Sequence, residues 1–181
     1  MKQTKNNTLF HGFKKTALAS FFIALGLSHS VFAEEWESEV RIKVKGGLVK
    51  DTVTSLIWMR CSLGQNWDGR TCSGTAIEYT WQEAMFFTKH FEYGGYSDWR
   101  LPTLDELKSL VYCSHGYDGN KCSSNSKSPA IRDEFPNTPQ TWFWSSTPSA
   151  EYNGGAWGVE GAYGYAYGGS KTVSSAIRLV R

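Results

Sequence analysis

The sequence predicts an α+β domain, with two short helices set against a mostly antiparallel sheet and disulfides stapling its loops. Three observations carry this reading. Two Thr-x-x-Glu strings, at Thr80 and Thr103, each open an apolar stripe of helical spacing. The later half is a series of short, aromatic, Gly-punctuated runs of strand character. Four cysteines, Cys61, Cys72, Cys113 and Cys122, fall in pairs around polar, Gly-bearing loops.

The elements follow in order. Residues 36–45 alternate apolar and charged, as a strand with one wet face does, and Gly46-Gly47 ends them. Residues 52–59 (TVTSLIWM) read as a second, more buried strand, and residues 61–75 as a loop. Thr80 caps a helix expected over residues 81–90, whose stripe is Ala84, Met85, Phe87 and Phe91; Gly94-Gly95 stops it. Thr103 caps a second helix, with Glu106 as the reciprocal partner and Asp105 in the positive first turn. Its buried face is Leu104, Leu107, Leu110 and Val111. A turn of helix is expected near residues 129–133. Residues 142–147 (WFWSST), 157–160 (WGVE), 163–167 (YGYAY) and 176–180 (AIRLV) read as strands.

Residues 1–33 read as a removable export signal. Lys2, Lys5, Lys14 and Lys15 form a basic head, residues 17–27 an apolar middle, and Val31-Phe32-Ala33 a cleavage site. The apolar run is about half the roughly 20 residues that a membrane span needs. Residues 34–47 then form a lead-in strand and 48–181 the domain proper. Four of the 19 Lys and Arg lie in the signal and none of the 17 Asp and Glu, leaving 15 against 17, a formal −2. A slightly acidic chain is a poor partner for nucleic acid. An exported chain reaches a periplasm, a cell surface or the medium, with no stable membrane anchor, and there disulfides form. Three pairings are open. The local ones, Cys61–Cys72 and Cys113–Cys122, are preferred because each closes a polar loop. Zinc would want Cys-x-x-Cys knuckles, and none occurs.

No catalytic set stands out, so the chain is read as non-enzymatic, with no catalytic residue, metal or cofactor. His90 and His115 sit outside any His-Glu-x-x-His setting, and there is no P-loop, nucleophile elbow or dinucleotide fingerprint. An enzyme would need titratable groups converging in a pocket. Residues 94–107 (GGYSDWRLPTLDEL) are the most distinctive. Arg100, set among apolar neighbours, needs Asp98, a chain carbonyl or a ligand anion as partner, and a structural ion pair is the expected role. Trp99 and Leu101 would pack beneath the second helix.

That segment, with residues 48–60 (LVKDTVTSLIWMR), the helix TWQEAMFFTKH, the strings FWSST and AWGV and the terminal AIRLVR, resembles the bacterial family built on the C-terminal domain of the Legionella collagen-like adhesin, the Lcl C-terminal domain family. The likeness runs from about Leu48 to Arg181. More distantly, RLPT-x-x-E followed by WSS looks like the C-type-lectin-like fold of formylglycine-generating enzymes. The resemblance implies a lectin-like α+β domain of largely unknown function, with Asp98, Trp99, Arg100, Thr103, Glu106, Trp144 and Arg178 as its structural motif. The enzymes' late cysteine pair has no counterpart, since no Cys follows Cys122, and the lectin calcium triplets are absent.

Ligand contact is expected from Tyr163, Tyr165 and Tyr167, which a strand would place on one face, with Trp157 nearby. The alternative for those rings is packing on the domain's own core. The function expected is a secreted binding domain in adhesion or cell-surface recognition of glycans or proteins. A periplasmic or surface module that assembles with itself or another protein is the alternative, and an enzyme on a lectin-like fold ranks behind both.

Overall fold

The computed structural model describes residues 41–181 apart from 114, 123–126, 151 and 153. The export signal and residues 34–40 of the lead-in lie outside the described residues. The α+β class is as expected: two short helices, mostly antiparallel sheets and two disulfides.

Strands β1 (Ile42–Lys45) and β2 (Leu48–Asp51) form a hairpin, and β3 (Ile57–Met59) pairs with β2. The hairpin turns at Gly46, whose φ of +55° suits a residue without Cβ. The predicted single strand over 52–59 is shorter than expected for a local reason. Asp51 Oδ1 accepts from the backbone N–H groups of Val53 and Thr54, and this Asx turn starts β3 only at Ile57. The loop over 61–75 contains a two-residue ladder, β4 (Asn66–Trp67) with β5 (Cys72–Ser73), closed by the Cys61–Cys72 bridge.

The larger sheet has the order β6 (Glu78–Tyr79), β10 (Ser175–Ala176), β7 (Trp142–Ser149), β8 (Gly155–Glu160) and β9 (Ala166–Ser170). Among the described residues of this sheet, only β10 and β7 run parallel. Alternation along β7 and β8 sends Phe143 and Val159 into one buried cluster and Trp144 and Ala156 into the other. Helix α1 (Trp81–Phe87) adds Ala84 to the Trp144 side, and a turn of 3-10 helix (Thr88–His90) extends it. Helix α2 (Leu104–Ser109) adds Leu107 to the Phe143 side. Both capping boxes form as expected.

The last five residues are not the strand the sequence suggested, beyond Ala176. They run as a connector hydrogen-bonded on two sides. Ile57 and Arg181 exchange N–H···O bonds of 3.0 and 2.9 Å, and Arg100 and Val180 exchange bonds of 2.9 and 3.0 Å. The helical turn expected at 129–133 is also absent. The backbone there bonds outward, Ala130 N–H to Gly161 O (2.9 Å) and Arg132 N–H to Leu110 O (3.0 Å), so it cannot bond to itself.

Candidate binding surface

The motif residues prove to be the ties between these layers. Arg178 is buried to 2% exposure, yet among the described residues no carboxylate faces it. Its guanidinium donates to Met59 O (3.3 Å), Arg60 O, Ser62 Oγ (3.1 Å) and Thr138 Oγ1 (2.8 Å), and lies over the rings of Phe135 and Phe143. Burial lowers it to about 9, which leaves it charged at neutral pH. Trp144 Nε1–H donates to Tyr79 O and Trp99 Nε1–H to Tyr93 O, so both indoles are anchored as well as buried.

Arg100 finds a structural ion pair, with Glu106 rather than Asp98. Its two terminal nitrogens reach the two Glu106 oxygens, each at 2.7 Å, and Leu101 O accepts a third bond. The capping box explains the choice, because it turns the Glu106 carboxylate back towards Thr103 N–H (2.7 Å), beside Arg100. Asp98 pairs with the terminal Arg181 at 2.6 Å. The Arg100 guanidinium, with Thr103 assisting, holds the Glu106 carboxyl below its ordinary value despite partial burial. A carboxyl lowered by folding stabilises fully above its unfolded value and loses that contribution as pH falls through the folded one. Thermal unfolding should therefore show a declining melting point below about pH 4. Glu106→Gln should flatten part of that decline, and an unchanged acid limb would place the lability elsewhere.

The tyrosines lie where β8 turns into β9. The strand expected over 163–167 begins only at Ala166, because residues 160–165 form a tight connection. The Glu160 carboxylate accepts from Ala162 N–H (2.9 Å) and Tyr163 N–H (2.7 Å), and Gly164, at φ +76°, donates its N–H to Glu160 O (2.8 Å). Tyr117 pins the turn from below, its hydroxyl donating to Gly164 O at 2.7 Å. Tyr163, Tyr165 and Tyr167 are 57%, 44% and 47% exposed, so they do not pack into the core. Tyr163 and Tyr165 stack on each other at 6.0 Å.

Tyr167 stacks at 5.3 Å and 11° on Trp142, a partner the sequence reading placed only in a strand. Trp142 also touches Trp144, with ring centroids 4.3 Å apart. Its indole lies flat across Gly158 and Gly169; a Cβ on Gly169 would sit 2.6 Å from the ring. The two glycines are the sequence signal that could have found this platform, but only their strand register sets them under one ring. Trp157 belongs elsewhere. It pairs with Gly168, one position out of phase with Tyr167, and so points to the opposite sheet face.

A concavity of about 680 Å³ opens beside α1. His90 lines it together with Glu78 and Glu83, but its ring packs on Phe86 at 5.2 Å, and among the described residues no hydrogen bond joins it to either carboxylate. His115 does not line that cleft. Among the described residues there is no group of three or more His, Cys, Asp or Glu placed to hold a metal ion, and no helix long and apolar enough to cross a membrane. All four cysteines are paired as preferred, Cys61–Cys72 and Cys113–Cys122.

Compared with known proteins, residues 47–181 match the family model described as the Lcl C-terminal domain. No curated protein matches the chain.

Proposed function

The chain belongs to the Lcl C-terminal domain family, and from that premise we propose that it is an exported, non-enzymatic binding domain acting in adhesion or cell-surface recognition, with glycans as its ligands. The observation that carries the proposal is the exposed aromatic surface about the β8–β9 connection: two stacked pairs, Trp142–Tyr167 and Tyr163–Tyr165, whose three tyrosines stand about half out of the protein. Rings with a polar tip offer an apolar face to the C–H surface of a sugar and a hydroxyl to its oxygens. Fixed stacking means little side-chain freedom is lost on binding. Glu160 beneath the turn and the formal −2 of the chain without residues 1–33 favour neutral over polyanionic glycans. The paired cysteines support export.

The test is a glycan array probed with the exported chain and with a Tyr163/Tyr165/Tyr167→Ala variant. The exported chain should bind a set of neutral glycans, and the variant should lose roughly tenfold or more in affinity at an unchanged melting point. No glycan bound, or equal binding by both chains, would contradict the proposal.

A further inference from the structure

The cleft beside α1 is separate from the tyrosine platform and has its own chemistry. Tyr79, Phe87 and Phe91 form one wall as a run of ring contacts, at 5.4 Å and then 5.1 Å. Phe86 lines it too, and is 67% exposed on a helix whose other large apolar residues are at least half-buried. The remaining lining is His90 and two acidic residues. Glu78 and Glu83 contribute carboxylates, and among the described residues no Lys or Arg lines the cleft.

Glu83 is fixed in place rather than free to swing. Its Oε2 accepts from Thr80 N–H (2.8 Å) and Thr80 Oγ1–H (2.7 Å), while Oε1 has no partner among the described residues. The Thr80 hydroxyl and N–H also hold this carboxyl below its ordinary value, so the charge is present at neutral pH. Aromatic faces and positioned carboxylates both attract positive charge, and an apolar cleft of this volume is of ordinary size for a small ligand.

We propose that this cleft binds a small free organic cation, an ammonium carrying an aryl or alkyl group. The apolar group lies against Phe86, Phe87 and Phe91, and the charge is matched by Glu78 and Glu83. A neutral or anionic ligand of the same shape gains only the apolar contact.

The probe is benzyltrimethylammonium, with benzyl alcohol and benzoate as neutral and anionic controls that carry the same ring, followed by NMR on the full exported chain. The cation should shift the Phe86 and His90 ring signals saturably, while benzoate leaves them in place. Glu78→Gln and Phe86→Ala alter exposed side chains outside the helix cap, so both should fold. Each should weaken cation binding by roughly fivefold. The tyrosine triple variant should bind the cation as the unaltered chain does. Equal responses to cation and benzoate, unaltered affinity in both single variants, or no saturable shift would each overturn the proposal.

Discussion

Replacing Arg178 with methionine should remove a large part of the domain's stability. The side chain ties the carbonyls of Met59 and Arg60 and the hydroxyls of Ser62 and Thr138 into one buried network. Methionine fills much of the volume but donates no hydrogen bond, so several buried acceptors lose their partner. An unsatisfied buried polar group costs about 1–3 kcal/mol, and with imperfect filling the total should exceed about 4 kcal/mol. A domain of this size has only about 5–15 kcal/mol to lose. Lysine should rescue poorly, because a point charge cannot replace a planar fork that reaches acceptors on two sides. Urea unfolding checks both variants. A loss below about 1 kcal/mol would mean that the network is not what holds residues 59–62 against the C-terminal segment.

The second large effect is loss of the Cys61–Cys72 bridge. It closes a separation of 11 residues, and both cysteines are buried, at 3% and 0% exposure. A paired Cys61→Ala/Cys72→Ala variant should unfold about 3 kcal/mol more easily, the loop-closure expectation for such a length. The bridge begins between two of the groups that Arg178 holds, the Arg60 carbonyl and the Ser62 hydroxyl. The two perturbations share partners, so their costs should not add. An additive double-mutant cycle in urea would show that the bridge and the arginine support separate parts of the fold.

Much of this architecture was legible because its causes are local. A Thr with a Glu three residues on is enough to set a capping box, and both helices start where those strings predict. Cysteines on either side of a polar loop needed no tertiary information to pair. What escaped the sequence was set by particular side-chain hydrogen bonds that residue patterning does not display. The late start of β3 within the expected strand over 52–59 depends on Asp51 bonding Val53 and Thr54, a turn hidden at the head of that run. Arg100 selects Glu106 only because the cap has already turned that carboxylate back.

The candidate surface was half legible. The three tyrosines were found by spacing, although Glu160 and Gly164 bend the chain so that only Tyr167 lies in a strand. Trp157 was misplaced because period-two reasoning works within one strand and cannot set register between two. Trp142 was missed as a partner because its bed, Gly158 and Gly169, comes from different strands.

The central claim is that the Trp142–tyrosine platform is the recognition surface, and residue-resolved NMR titration with a neutral oligosaccharide selected from the array tests it most directly. The account predicts saturable shifts at the Trp142 indole and the amides of residues 163–167, with the α1 cleft and the Arg178 network unmoved. Shifts centred on any other surface, with Trp142 and the tyrosines unaffected at saturation, would contradict it.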